Sequence, residues 1–323
     1  MLQRNQMTEN TKPAFLCLVG PTGSGKSSLA LEIAARLATK GLKAEIVNAD
    51  AMQFYQGMDI GTAKLPFADR RGIEHHLLDW LPVTEESTAA NYQEVARAKI
   101  SELVEKGILP IVVGGSMLYV AALVNTFEFP GRDEELRAKL ERELINLGPE
   151  AMHAKLALLD EGAASRIEPM NGRRIVRALE IVMITGEPFA AALPEEWESF
   201  LPVLEIGLNS DRAHLVDRLA KRVEKMWEEG MVEEVRGLID KGLRESKTAR
   251  QAIGYAQALE QIDGVINQDD AIAQTTQLTQ RYSRRQMSWF RRDPRINWFD
   301  YQNVNLVDEV MELIYLKLEL NGK

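Results

Sequence analysis

An apolar run of five residues, Phe15–Val19, leads directly into Gly20-Pro21-Thr22-Gly23-Ser24-Gly25-Lys26-Ser27, and a helix-patterned stretch, Ser27–Thr39, follows at once. The eight residues fit G-x-x-x-x-G-K-[ST] in full, with a strand before them and a helix after, the context in which that pattern has physical meaning. Glycines let the backbone curl so that successive amide hydrogens face inward, and the helix start adds partial positive charge. Lys26 adds a full charge, and the Ser27 hydroxyl can reach Mg2+. A strand, loop and helix of this kind belong in an open parallel α/β sheet, with a polyphosphate as ligand. The loop alone does not say which polyphosphate.

The next hundred residues extend the alternation. Ala44–Asn48, roughly Glu74–Asp79 and Leu109–Val113 read as strands, and Asn91–Lys106 as a helix. After Pro130-Gly131 the pattern changes: Leu136, Leu140, Leu144 and Leu147 fall at helical spacing, with Gly148-Pro149 as punctuation, and the chain reads as all-helical to about Glu187. Val203–Leu208 returns as a strand, a long amphipathic helix starts near Ala213, Ile296–Phe299 is a last short strand, and Asp308–Leu318 a closing helix. The expectation is an α/β core of residues 1–131 and 201–323, interrupted by a helical insert at 132–200.

Nucleotide hydrolases built on such a loop also carry an acid at the end of a neighbouring strand to organise Mg2+ and water. Leu109–Val113 ends instead in Gly114-Gly115-Ser116, which favours group transfer over hydrolysis. The strand Ala44–Asn48 leads into Ala49-Asp50-Ala51-Met52-Gln53 at the carboxyl edge of the sheet, where ligands collect. Spacing leaves Asp50 open between a cap on the following segment and an acid beside the phosphates. On the helix from Ala213, Leu215, Leu219, Val223 and Met226 form the apolar stripe, and Arg222 lies beside it, positioned either to look into a site or to snorkel to water.

No apolar stretch approaches the ~20 residues that cross a bilayer. The single cysteine, Cys17, excludes an intrachain disulfide and suits the reducing cytoplasm. A net charge of -9 argues mildly against a nucleic-acid partner, but Arg281, Arg284, Arg285, Arg291, Arg292 and Arg295 crowd one stretch with Tyr282, Trp289 and Phe290 among them, and Arg173, Arg174 and Arg177 form a second group. An acidic body with two such patches can still hold RNA, unless the first is simply a solvated basic face over core aromatics. His75-His76 are adjacent in a strand and point to opposite faces, so they read as structural rather than as a metal pair.

Seven strings together resemble bacterial tRNA dimethylallyltransferases: GPTGSGKS at 20–27, NADAMQFYQGMDIGTAK at 48–64, HHLLD at 75–79, PIVVGGSMLY at 110–119, RALEI at 177–181, QAIGY at 251–255 and QRYSRRQMSWFRR at 280–292. They run in the family's order over nearly the whole chain. The resemblance implies a core like that of P-loop nucleotide kinases and an insert that clasps the anticodon stem-loop. It also implies transfer of a dimethylallyl group from dimethylallyl diphosphate to the exocyclic amine of adenosine 37 of tRNA. Mg2+, from the phosphate loop, is the expected cofactor, and a monomer the expected state.

Under that resemblance Gly20, Pro21, Thr22, Gly23, Ser24, Gly25, Lys26 and Ser27 bind the diphosphate with Arg222, and Ser27 holds the metal. Asp50 accepts the amine proton, and Lys26, Arg222 and Ser116 complete the catalytic set. The tRNA-binding set is Asp50, Ala51, Met52, Gln53, Ser116, Arg137, Arg173, Arg174, Ile175, Val176, Arg177, Gln251, Ala252, Ile253, Gly254, Tyr255 and Ala256, with Arg281, Arg284 and Arg285. The chain departs from the family at Gly23, commonly Ala, at Ala51-Met52, commonly Ser-Arg, and at Ser116, commonly Thr. Rival readings are a nucleoside or small-molecule kinase, a prenyltransferase acting on free adenylate, and an RNA-binding module without catalysis.

Overall fold

The computed structural model describes residues 12–126, 129, 131–189 and 198–320. Two compact units form: Met1–Thr126 with Ser199–Lys323, and Phe127–Glu198.

The first unit is built on six parallel strands in the order β3-β2-β4-β1-β5-β6, namely β1 Phe15–Val19, β2 Ala44–Asn48, β3 His75–His76, β4 Leu109–Val113, β5 Val203–Asn209 and β6 Asn297–Asp300. Alternation along β1 divides the core. Phe15, Cys17 and Val19 face one layer and Leu16 and Leu18 the other, all fully buried. Helix α1 (Lys26–Thr39) covers the Leu16 side. The Phe15 side is covered by α2 (Ala89–Glu105) and α3 (Met117–Val124). Because every connection is a crossover, the loops after β1, β2 and β4 gather at one edge of the sheet.

The expected strand over Glu74–Asp79 shrinks to His75–His76. Leu77 and Asp79 take φ of 62° and 55°, a left-handed backbone that no strand can contain, so the chain turns away. The turn aims Asp79 at Lys64. The Lys64 ammonium is buried and donates to Asp79 Oδ1 at 2.5 Å, Asp59 Oδ1 at 2.7 Å and the Tyr55 carbonyl at 2.9 Å. The two histidines are structural: His75 Nδ1 lies 2.8 Å from the Ile73 carbonyl and His76 Nε2 2.7 Å from Glu45 Oε2.

The second unit contains α4 (Glu134–Leu159), α5 (Glu161–Arg166) and α6 (Gly172–Thr185). Gly148, at φ 80° and ψ 165°, interrupts α4 just before Pro149, so Gly148-Pro149 breaks the run of leucines. Leu140, Met152, Leu156, Ile175, Val176 and Leu179 form its core. Within it Glu180 is fully buried and neutralised by Arg177 at 2.9 Å and Arg137 at 3.1 Å.

After β5 come α7 (Arg212–Glu228), α8 (Met231–Ile239), α9 (Tyr255–Ile262), α10 (Gln268–Phe290) and α11 (Leu306–Lys317). Helices α7 to α10 pack on the Phe15 side and α11 on the Leu16 side.

Candidate active site

The phosphate loop depends on glycines at defined points. Gly20, Gly23 and Gly25 have φ of 140°, 79° and 83°. A Cβ on Gly20 would lie 2.6 Å from the Leu208 carbonyl, so the loop sits directly on β5. Gly25 starts α1 with no side-chain cap and no acid in the first turn, whereas Thr88, Asp133, Asn171, Asp211 and Asn267 cap α2, α4, α6, α7 and α10 through their side chains. The first amides of α1 are therefore left for an anion. The buried Ser24 hydroxyl, by contrast, is spent inside the loop, donating to the Pro21 carbonyl at 2.8 Å.

Lys26 Nζ donates to the carbonyls of Gly20 and Pro21 at 3.0 and 2.8 Å. Burial lowers its pKa to about 8, opposed by Asp50 and assisted by Arg222. Burial likewise pushes Asp50 above the usual carboxylate value, against hydrogen bonds from the Met52 and Gln53 amides and the charges of Lys26 and Arg222. Arg222 is lowered by burial, an effect that Asp50 opposes and Arg218 reinforces. The three charges form one electrostatic unit, two cations around one carboxylate, with net positive charge left for an anionic ligand.

Asp50 is a cap and a lining residue at once. Its side chain caps the short 3-10 helix Ala51–Phe54, and it also lines the site. Ser116, buried at the start of α3, accepts the Ala51 amide at 2.9 Å and so braces the Asp50 turn. A Cβ on Gly114 would fall 2.3 Å from the Ala49 carbonyl, so a carboxylate at the end of β4 has no room.

Two cavities meet here. One, of about 270 Å3, lies on the phosphate loop and is lined by Gly23, Gly25, Lys26, Ser27 and Arg218. The other, of about 410 Å3, is walled by Met52, Met117, Leu118, Met226, Ile253 and Tyr282. Thr22, Asp50, Thr62 and Arg222 line both. Residues from several loops and helices thus converge on one seam between the glycine-loop cavity and an apolar cavity.

Residue spacing singled out none of three further contributors. Arg218 precedes Arg222 by one helical turn and also faces the phosphate cavity. Gln286, nearly fully buried on α10, accepts the Thr22 amide at 2.8 Å and donates to the Gly115 carbonyl at 2.8 Å. Glu234 of α8 accepts the amides of Asp59 and Ile60 at 3.1 and 2.7 Å and the Tyr255 hydroxyl at 2.5 Å, and so holds the loop that carries Thr62. Of the three, only Gln286 lies inside one of the family-like strings, at 280–292.

The remaining residues expected to meet tRNA divide sharply. Around the larger cavity, Met52, Gln251, Ala252, Ile253 and Tyr255 are lining residues, although Ala252 and Tyr255 are themselves buried. Gln53 lines the phosphate cavity, Ala256 is half-buried and Gly254 starts α9. Arg281, Arg284 and Arg285 are exposed on α10, while Ser283, Gln286 and Phe290 are its buried positions. Arg295 leaves that patch: it turns inward, paired with Asp293 at 2.6 Å and Glu205 at 3.0 Å. In the helical unit Arg173 and Arg174 are exposed, whereas Ile175 and Val176 are core side chains and Arg137 and Arg177 are engaged by Glu180. The alternation of exposed and buried positions along α6 removes Ile175 and Val176 from any side-chain contact with a ligand.

Residues 53–293 match the family model described as IPP transferase. The tRNA dimethylallyltransferase of Thermobifida fusca is 51% identical over 299 residues, 93% of each chain. That of Acidothermus cellulolyticus is 54% identical over 284 residues, 88% of this chain and 87% of the relative. Among solved structures, the full-length tRNA isopentenylpyrophosphate transferase of Bacillus halodurans matches with a TM-score of 0.68 at 35% identity, covering 96% of this chain and 98% of that one. A eukaryotic dimethylallyltransferase acting on tRNA matches with a TM-score of 0.77 at 25% identity, covering 96% and 79%.

Proposed function

The chain belongs to the IPP transferase family of tRNA dimethylallyltransferases and prenylates an adenosine of tRNA, and on that premise we propose that its donor is dimethylallyl diphosphate and its acceptor the exocyclic amine of adenosine 37. The observation that carries this reading is the seam: Asp50 and Arg222 line both the phosphate-loop cavity and the apolar cavity beside it. A reaction that needs a diphosphate on one side and an apolar allyl group and a base on the other fits that division.

The adenine amine is a weak nucleophile, because its lone pair is delocalised into the ring. The diphosphate of dimethylallyl diphosphate, in contrast, is a good leaving group, because the positive charge its departure builds on the allylic carbon is delocalised. As the carbon–oxygen bond breaks, negative charge builds on the diphosphate, and Lys26, Arg222 and the first amides of α1 neutralise it. The nitrogen bonds to the allylic carbon and the surplus proton passes to Asp50, whose raised pKa makes it a stronger base than a surface carboxylate. Extrusion of a loop base costs a few kcal/mol, and least where the base is already unpaired.

Mg2+ takes few protein ligands and prefers phosphate oxygens and water. The exposed Ser27 hydroxyl at the start of α1 suits it, and among the described residues no cluster of three or more His, Cys, Asp or Glu side chains offers a dedicated cage. Bound there, the ion would add charge to the leaving diphosphate. No helix among the described residues is long and apolar enough to cross a membrane. With tRNA as substrate, the reading sets the enzyme in the cytoplasm as a monomer, with the exposed Arg281, Arg284 and Arg285 and the Arg173–Arg174 pair meeting RNA phosphates.

The test is incubation with labelled dimethylallyl diphosphate, Mg2+ and either tRNA, AMP or ATP. Label is expected in tRNA alone; label in AMP, or consumption of ATP, overturns the reading.

A further inference from the structure

The phosphate loop is held from outside by a residue far away in the chain. Gln286 lies 264 positions from Thr22, and its amide spans two backbones: Oε1 accepts the Thr22 amide at 2.8 Å and Nε2 donates to the Gly115 carbonyl at 2.8 Å. One partner is a donor and the other an acceptor, so the side-chain amide fits in one orientation only. It is 1% exposed, and a Cβ on Gly115 would stand 2.3 Å from Nε2, so no other side chain shares the space. Tyr282, one turn earlier on α10, reaches the same Gly115 carbonyl at 3.4 Å.

Thr22 lines both cavities, so whatever fixes its backbone fixes the boundary between them. Pro21 has no amide hydrogen, and the Ser24 amide is used on the Pro21 carbonyl at 3.3 Å. The Thr22 amide is committed to Gln286, which leaves an anion the amides further along, toward the start of α1. The same helix that reaches the loop through Gln286 exposes Arg281, Arg284 and Arg285 on its outer positions.

Resting on the functional reading above, we propose that Gln286 is a positioning residue for the diphosphate. It clamps the Thr22 end of the phosphate loop to the Gly114-Gly115 turn, preshapes the anion site, and ties that site to the helix whose other positions face RNA. Preorganisation of this kind raises affinity by removing the cost of ordering the loop when ligand binds. It acts on the diphosphate and not on tRNA affinity.

Gln286→Met keeps volume and helix propensity while removing both hydrogen bonds. The probes are inorganic diphosphate with Mg2+, measured by calorimetry without tRNA; tRNA affinity by filter binding; and KM for dimethylallyl diphosphate at saturating tRNA. The expected result is diphosphate affinity down about tenfold, the donor KM up by a similar factor, and tRNA affinity within about twofold of wild type, in line with loss of buried hydrogen bonds. Gln286→Glu, which keeps the acceptor for Thr22 but sets negative charge beside the site, is the second variant and should lose more diphosphate affinity at neutral pH than Gln286→Met. Unchanged diphosphate affinity in both variants, or equal losses toward diphosphate and tRNA, overturns the proposal. Because the diphosphate measurement needs no prenyl transfer, wild-type protein that binds diphosphate but labels no tRNA would refute the reaction and leave the clamp standing.

Discussion

Asp50 Oδ1 accepts the backbone amide of Met52 at 3.1 Å, so the carboxylate proposed to take the proton is also the cap of the short helix that carries Met52 and Gln53 into the site. Its orientation is fixed by the turn it stabilises, with the Asn48 side chain accepting the Asp50 amide at 3.0 Å and Ser116 accepting that of Ala51. Asp50→Ala is expected to lower turnover by ~10²-fold or more, as for removal of a proton acceptor, with tRNA affinity close to wild type. Single-turnover prenylation beside equilibrium tRNA binding checks this; lost affinity at unchanged turnover would assign Asp50 to binding alone.

Lys26 should govern the alkaline side of the pH profile. Its folded pKa of about 8 means the free enzyme carries that charge below pH 8 and loses it above, so kcat/KM for the donor falls as pH rises through about 8. The linkage to stability runs the other way. Between about 8 and the ordinary lysine value of 10.5 the unfolded chain holds a proton that the folded chain has released, so this group's contribution to stability increases with pH across that window. On the acid side, the raised Asp50 pKa places the loss of base above pH 3.8, and rate falls as pH drops through it. Steady-state profiles of wild type and Lys26→Met separate the two limbs.

Arg222→Ala removes the cation that lines both cavities. The donor KM should rise about tenfold or more, as for a lost charge-assisted hydrogen bond, with a smaller effect on tRNA. An unaltered donor KM would end its assignment to the diphosphate.

Glu234 gathers the amides of Asp59 and Ile60 with the Tyr255 hydroxyl. Burial and the Glu234 carboxylate push the Tyr255 phenol well above its usual pKa, which keeps it a donor. Glu234→Ala should destabilise the α/β unit by about 2 kcal/mol through stranded polar groups, and Tyr255→Phe by about 1 kcal/mol. Urea unfolding of the two single variants and the double tests whether the losses are coupled, as a shared contact requires.

Arg281 and Arg284 are exposed on α10, whereas Arg295 is held by Asp293 and Glu205. Arg281→Ala and Arg284→Ala should each weaken tRNA binding and reduce the slope of log affinity against log salt by about 1. Arg295→Ala should leave that slope alone and lower the melting temperature instead. Binding isotherms at three salt concentrations distinguish the two behaviours.

What the sequence determined by itself was whatever depends on neighbours in the chain. β1, the glycine loop and α1 were legible because a buried strand, three positive-φ glycines and a helix start are consecutive and each restricts the next. Arg222 was legible because a helix carries its own ruler: its place beside the Leu219–Val223 stripe follows from 100° per residue. Spacing left two meanings open at Asp50, cap and site acid; the folded turn makes the cap, and the same side chain lines the glycine-loop cavity.

Only the tertiary structure decided which distant groups meet, because hydrogen bonds between remote segments leave no periodic trace. Gln286 on Thr22, Glu234 on the Asp59–Ile60 amides and Lys64 on Asp79 join residues whose separation along the chain carries no information about distance. The same holds for direction. Arg295 belongs by composition to a basic surface patch, and Ile175 and Val176 belong by adjacency to a group of arginines, yet packing turns all three inward. Burial of an apolar side chain, or of an ion pair, is settled by what packs over it, and that is a property of the fold rather than of the string.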